Sequence, residues 1–137
     1  MATTNRVLSI YKEFSFAAAH RLPNVPDGHK CANLHGHEFR LIVGIRGPIA
    51  RGMGWIMDFG DLKKVVAPVL EQLDHNYLNE VPGLLNPTSE NLCSHLWDAI
   101  DAELAKVSYT EDAITRPRVC EITVYETPTS FATLKAQ

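Results

Sequence analysis

The sequence predicts an α+β fold, a four-stranded antiparallel sheet with two helices on one of its faces. Two stretches near the start of the chain and two near its end alternate apolar and polar residues, which is the period of a half-buried strand. Two segments between them repeat apolar residues at i, i+3, i+4 and i+7, as one face of a helix does. The predicted element order is therefore ββααββ.

Composition and charge predict one globular domain over residues 1–137, with loose termini at 1–6 and 135–137. The chain is 45% hydrophobic and 21% charged, as in ordinary folded domains. Its net charge of −3 argues against a nucleic-acid partner, and no apolar run is long enough to span a membrane. Three cysteines without paired spacing and the absence of an early signal-peptide pattern indicate the cytoplasm.

The first two predicted strands bring three histidines to one inward face. The first strand covers 7–20, and its inward positions are Leu8, Ile10, Phe14, Phe16, Ala18 and His20. The second lies within 31–45, where His35 and His37 share the parity of Phe39, Leu41, Val43 and Ile45. Positions i and i+2 of a strand are about 6.6 Å apart, so two imidazoles can converge on one ion. Core histidines bonded to backbone are the alternative.

The two predicted helices each begin at a capping residue. Asp58 is the N-cap of a helix over about 60–73, which ends at Asp74 and His75. Thr88 caps the second helix, and its buried stripe is Leu92, Leu96, Ala99, Ile100 and Leu104. Residues 106–118 are polar and give no clear element.

The third predicted strand, 119–126, ends on a carboxylate. Glu126 shares the apolar parity of Cys120, Ile122 and Val124, where an unpartnered carboxylate would be costly to bury. A short fourth strand is predicted over 130–134. Cys93 and Cys120 are expected to serve packing, and His29 and His95 to lie on the surface.

Taken in order, the motifs resemble those of the 6-pyruvoyl-tetrahydropterin synthase family, over about residues 8–127. The resemblance rests on Phe16-x-Ala-Ala-His20-Arg21, Gly28-His29-Lys30-Cys31, Cys31-x-x-x-His35-Gly36-His37, Trp55-Ile56-Met57-Asp58-Phe59, Leu73-Asp74-His75, Asn86-Pro87-Thr88-Ser89-Glu90 and Glu126-Thr127. The three-residue gap between Cys31 and His35 is similar to that of the bacterial branch, the 6-carboxy-5,6,7,8-tetrahydropterin synthases of queuosine biosynthesis.

The resemblance implies a tunnelling fold and a set of site residues. It implies Zn²⁺ held by His20, His35 and His37, with Glu126 outside the ligand set. It implies Cys31 as the general base and His75 as the proton relay. It also implies Asp74 as the carboxylate beside His75, and Glu126 as the acid that anchors the pterin. Implied substrate contacts come from Glu126, Thr88 and Ser89. The structural alternatives are a packing thiol for Cys31, helix capping for Asp74 and His75, and an interface salt bridge for Glu126.

The implied reaction converts 7,8-dihydroneopterin 3′-triphosphate to 6-carboxy-5,6,7,8-tetrahydropterin, with release of triphosphate and acetaldehyde. The alternatives are 6-pyruvoyl-tetrahydropterin synthase activity and a non-catalytic module that binds zinc or pterin. The resemblance further implies a homohexamer, a dimer of trimers in which the sheets join into a β-barrel ring.

Overall fold

The computed structural model describes residues 6–107 and 116–137, and its centre is one antiparallel sheet with the strand order β1-β2-β3-β4. The elements are β1 Ser9–His20, β2 His35–Arg46, α1 Phe59–Glu71, α2 Ser89–Ala105, β3 Arg118–Thr127 and β4 Ser130–Lys135. Single 3₁₀ turns lie at Lys30–Ala32 and Leu78–Glu80. The predicted fold class and the order ββααββ are confirmed.

The pairing of β1 with β2 sets the position of the three histidines. His20 lies directly opposite His35, and Ala18 lies opposite His37. Because β1 ends where β2 begins, all three imidazoles meet at the same end of the sheet. The inward residues farther along both strands form the buried core under the helices, and they include Phe16, Phe39, Leu41, Val43 and Ile45.

Both helices begin at the predicted caps. The Asp58 carboxylate accepts a hydrogen bond from Asp61 N at 3.1 Å, and Thr88 Oγ1 accepts one from Asn91 N at 3.1 Å. Each cap satisfies a backbone N–H that has no partner inside its helix. α2 packs against β3 and β4, so its first residue, Ser89, lies beside the end of β3.

The chain after α1 is hydrogen-bonded to the outer edge of β1. Ala17 N donates to Asp74 Oδ1 at 2.9 Å, His75 N donates to Ala17 O at 2.6 Å, and Ala19 N donates to Asn76 O at 3.1 Å. These bonds cover the last part of the β1 edge, next to His20. They also fix the backbone of Asp74 and His75 relative to the sheet.

The ends of the chain differ in part from the sequence prediction. β1 begins at Ser9, and Leu8, predicted to face inward, is 56% exposed because it precedes the strand. The C-terminal residues 135–137 are held farther than predicted, since Lys135 belongs to β4 and Ala136 N donates to Cys120 O at 3.0 Å. Residues 1–5 of the predicted loose N-terminus lie outside the described residues.

Three predictions about α2 and the following segment have different outcomes. Cys93 is buried as expected, and burial raises the pKa of its thiol to about 11. His95, expected on the surface, is half-buried, and burial lowers its pKa. Of the segment that was hard to place, residues 108–115 lie outside the described residues.

Within the described ranges no helix has the length and apolar content to cross a membrane.

Candidate metal centre

Three imidazole rings face one another where β1 ends and β2 begins. The ring centroids of His20 and His35 are 4.6 Å apart, those of His35 and His37 are 4.8 Å apart, and those of His20 and His37 are 5.2 Å apart. His20 is fully buried, while His35 and His37 are half-buried. The strand register therefore produces the convergence that the sequence predicted.

Backbone carbonyls fix the orientation of two of these rings. His20 Nδ1 donates to Pro87 O at 2.9 Å, and His35 Nδ1 donates to Asn33 O at 2.7 Å. A carbonyl oxygen only accepts, so each Nδ1 carries the hydrogen and each neutral Nε2 presents a lone pair. Those two Nε2 atoms are 3.0 Å apart, and two lone pairs at that distance repel each other unless a proton or a metal ion lies between them.

The third histidine faces a carboxylate. His37 Nε2 lies 3.0 Å from Glu126 Oε1, but the geometry of this contact is not that of a hydrogen bond. The nitrogen is buried and has no hydrogen-bond partner among the described residues. The other carboxylate oxygen, Glu126 Oε2, accepts a hydrogen bond from Ser89 Oγ at 3.1 Å. A buried nitrogen without a hydrogen bond is costly unless another ligand satisfies it.

Together these residues can hold a metal ion. One ligand atom from each of His20, His35, His37 and Glu126 lies within 4.8 Å of every other. Burial lowers the pKa of both His20 and His37, which favours the neutral imidazole that a metal binds. A carbonyl bonded to the far nitrogen of a ligating histidine is the usual supporting contact of zinc sites. The donor set fits Zn²⁺.

A second pair of titratable residues lies on the β1 edge. His75 Nδ1 is 3.0 Å from Asp74 Oδ2, and the His75 side chain is 81% exposed. The hydrogen bonds from Ala17 N and His75 lower the pKa of Asp74. His75 has φ of 59°, a left-handed conformation that is uncommon for a residue with a side chain. The structure thus pairs Asp74 with His75 as expected, in an exposed position.

The structure places Cys31 in the 3₁₀ turn ahead of β2. Its backbone N donates to His29 Nδ1 at 3.0 Å, its carbonyl accepts from Leu22 N at 2.8 Å, and its side chain is half-buried. Cys31 is not one of the four residues whose ligand atoms converge. Within the described chain, the thiol and the Asp74–His75 pair therefore lie outside that four-residue group.

A cavity of about 500 Å³ opens beside the cluster, and its walls include His37, Arg40, Tyr125 and Glu126. The Arg40 guanidinium lies 3.9 Å from the Tyr125 ring centroid, and the Tyr125 ring stacks on Phe131 with centroids 4.5 Å apart. The cavity is large enough for a ring compound of substrate size. It gives such a ligand direct access to Glu126.

Several supporting groups could not be identified from the sequence. The carbonyls of Pro87 and Asn33 orient two histidines, but a backbone acceptor leaves no residue-type pattern. Asn79 closes the loop after β1, since Oδ1 accepts from Arg21 N at 3.0 Å and Nδ2 donates to Arg21 O at 2.8 Å. The only sequence signal for these two bonds is that an asparagine amide can both donate and accept hydrogen bonds.

The fold and the cluster define a small α+β protein with a three-histidine, one-glutamate site that can hold a metal ion. The sequence profile of the family described as 6-pyruvoyl tetrahydropterin synthase matches residues 9–137. The chain is therefore a member of that family of tetrahydropterin synthases.

Two similar proteins share one name, and a similar solved structure carries another. A Synechocystis protein named 6-carboxy-5,6,7,8-tetrahydropterin synthase is 42% identical over 97 residues, which is 67% of this chain and 74% of that protein. A Haemophilus influenzae protein of the same name is 31% identical over 140 residues, covering 91% of this chain and 96% of that protein. The solved structure of Caenorhabditis elegans 6-pyruvoyl tetrahydropterin synthase superposes with a TM-score of 0.77 at 26% identity, covering 96% and 97% of the two chains.

The cluster predicts the outcome of removing one imidazole. A His35→Ala variant should lose bound zinc, because the ion would keep only two histidines and one carboxylate. Metal analysis of the purified protein after dialysis measures this loss. The matched control is His29→Ala, which removes an exposed histidine outside the cluster and should keep the metal. Full zinc occupancy in His35→Ala would show that the ion binds elsewhere.

Proposed function

We propose that this protein is a zinc-dependent enzyme of the cytoplasm that forms 6-carboxy-5,6,7,8-tetrahydropterin for queuosine biosynthesis. Its substrates would be 7,8-dihydroneopterin 3′-triphosphate and water, and its other products triphosphate and acetaldehyde. The observation that carries the proposal is the histidine cluster beside Glu126, at the wall of a cavity of about 500 Å³. The 42% identity to a protein named 6-carboxy-5,6,7,8-tetrahydropterin synthase supports this product.

Each site residue has a chemical role in this proposal. A bound Zn²⁺ would act as a Lewis acid that lowers the pKa of hydroxyls on the substrate side chain. Glu126 would accept both N–H groups of the pterin edge, a bidentate pairing suited to a carboxylate. Ser89, which contacts Glu126 at 3.1 Å, would orient that carboxylate. Thr88 would contact the substrate next to Ser89, and its hydroxyl oxygen also caps α2.

The proton-transfer roles would fall to residues outside the four-residue group. Cys31 would act as general base from the turn just before β2. Asp74 would hold His75, 3.0 Å away, so that the imidazole can pass on the proton that Cys31 removes. A carboxylate bonded to one ring nitrogen fixes the tautomer and the orientation of an imidazole. The exposure of His75 suits a group that meets substrate or a neighbouring subunit.

The product distinguishes this proposal from its nearest alternative. The name of the matching family and of the C. elegans neighbour supports 6-pyruvoyl-tetrahydropterin as a second candidate product. Mass spectrometry of a reaction with 7,8-dihydroneopterin 3′-triphosphate, with trapping of acetaldehyde, separates the two. We expect the 6-carboxy product and one acetaldehyde per turnover. A 6-pyruvoyl product without acetaldehyde would favour the alternative, and no turnover would favour a binding module.

Replacing the proposed base should remove activity without removing the ligands. We expect turnover by Cys31→Ala to fall about 10²–10⁴-fold, the usual contribution of a positioned base, while zinc binding and pterin binding persist. Steady-state kinetics together with metal analysis measure both effects. Cys120→Ala is the control, because that thiol is buried in β3 and has no proposed role. Near-parental activity in Cys31→Ala would assign the base to another group.

A substitution of Glu126 distinguishes a pterin-binding enzyme from a zinc protein that does not bind pterins. Glu126→Gln keeps the side-chain shape but turns one acceptor oxygen into a donor NH₂ that would oppose a pterin N–H. A hydrogen bond to a charged group is worth about 1.5–3 kcal/mol, so pterin affinity should fall roughly 10–150-fold. Fluorescence titration with neopterin measures it, with Glu121→Gln as the control on the same strand. Equal affinity in Glu126→Gln and the parent would rule out the anchoring role.

We also propose a homohexamer in which sheets of neighbouring subunits join into a ring. Both edge strands carry exposed apolar side chains, with Tyr11 on β1 at 46%, and Phe131 and Leu134 on β4 at 58% and 36%. Closure of sheets between subunits removes such edges. Light scattering at micromolar concentration should give about six times the 15.3 kDa chain mass. A monomeric mass would contradict the ring.

A further inference from the structure

Glu126 occupies an irregular position in β3. Tyr125 pairs with Phe131 on β4, and Thr127 pairs with Ser130, so Glu126 is an extra residue between two paired ones. An extra residue of this kind re-aims its side chain and interrupts the ladder, and such irregularities are common beside active sites. The position of the carboxylate is therefore set by the groups that it contacts at the histidine cluster.

Those contacts hold the four candidate ligand atoms close to one another. His20 Nε2 and His35 Nε2 are 3.0 Å apart, and His37 Nε2 and Glu126 Oε1 are also 3.0 Å apart. These are two opposite edges of a four-atom group in which no separation exceeds 4.8 Å. A tetrahedral ion with bonds of about 2.0–2.1 Å to each ligand would need edges of about 3.3 Å. Small side-chain movements would close the group around one ion.

The contact between His37 and Glu126 is itself of the kind that two metal ligands make. The two atoms lie at hydrogen-bonding distance, but the ring nitrogen makes no hydrogen bond with the carboxylate or with any other described group. Two ligand atoms at this separation whose lone pairs do not point at each other can both bind the same metal ion. The side chains are 20% and 23% exposed, so a ligand can still reach them from the cavity.

Both oxygens of the Glu126 carboxylate are in use in this arrangement. Oε2 accepts the hydrogen bond from Ser89 Oγ, and Oε1 faces His37 at 3.0 Å. A bidentate pairing with a pterin edge needs both oxygens directed at the ligand. The carboxylate therefore cannot serve the ion and the pterin in one position.

We propose that Glu126 is a displaceable fourth metal ligand, which binds the ion in the substrate-free protein and leaves it when a pterin ring engages the carboxylate. This inference rests on the proposed function, since it assumes the same ion and the same pterin contact. The consequence is that the fourth position opens only when the ring is bound. The hydroxyls of the substrate side chain then find a vacant position, whereas competing ligands are excluded from the resting site.

The test uses a pterin that carries the ring edge but no hydroxyls, 6-methylpterin. Zinc affinity of the parent protein is measured by competition with a chromophoric chelator, with and without saturating 6-methylpterin, and pterin binding is followed by its fluorescence. We expect 6-methylpterin to weaken zinc binding about tenfold or more, since even groups that only support a metal ligand are worth about 10–100-fold in affinity. By reciprocity, zinc weakens the binding of 6-methylpterin by the same factor.

A pair of variants isolates the carboxylate. Glu126→Gln should weaken zinc binding about tenfold or more in the absence of any pterin. Glu121→Gln, which removes a carboxylate paired with Lys135 on the same strand, should keep the parental zinc affinity. The cobalt-substituted parent protein should also change its visible absorption on addition of 6-methylpterin, and the cobalt-substituted Glu126→Gln protein should not.

The results distinguish a failure of the displacement from a failure of the proposed function. If 6-methylpterin binds and zinc affinity does not change, the displacement is overturned while the proposed function stands. Parental zinc affinity in Glu126→Gln would overturn it in the same way. If 6-methylpterin does not bind at all, both the displacement and the proposed pterin contact are overturned.

Discussion

The candidate site depends on one contact, the 3.0 Å separation between His20 Nε2 and His35 Nε2. Each ring uses its other nitrogen to donate to a carbonyl, so the two facing nitrogens are both acceptors in the neutral rings. A proton could bridge them, but burial lowers the pKa of His20 and disfavours that solution. A metal cation satisfies both nitrogens and also the unbonded His37 Nε2. The arrangement is therefore one that could hold a metal ion without reorienting these rings.

Each element of the fold contributes to that arrangement. The β1–β2 register places His20 opposite His35, and the backbone before α2 supplies the Pro87 carbonyl that holds His20. The N-terminus of α2 supplies Ser89, and the irregular end of β3 supplies Glu126. These segments are far apart in sequence. The site therefore forms only when the sheet and α2 are packed together.

The sequence predicted the convergence of the three histidines because side chains alternate between the two faces of a strand. His20, His35 and His37 each share the parity of buried neighbours, and antiparallel pairing of consecutive strands then brings them together. Capping by Asp58 and Thr88 was predictable for a similar reason, since it depends on residues close in the chain. Leu8 was misplaced because parity does not tell where a strand begins.

The position of Glu126 was only partly predictable. Its inward parity indicated a buried carboxylate that needs a partner, but not which partner. The irregularity in the pairing of β3 with β4 and the contact with His37 depend on tertiary packing, and neither leaves a pattern in the residues of one strand. The carbonyls of Asn33 and Pro87 were unpredictable because every residue has the same acceptor. Sequence therefore identified the residues of the cluster better than the carbonyls and the hydroxyl that hold them in place.

The most direct test of the metal centre is the zinc K-edge X-ray absorption spectrum of the purified protein. We expect one zinc per chain with three imidazole nitrogens and one oxygen at about 2.0–2.2 Å, and no sulfur at about 2.3 Å. That result would leave Cys31 free for proton transfer. A sulfur neighbour, or fewer than three imidazoles, would show that His20, His35 and His37 do not together hold the ion.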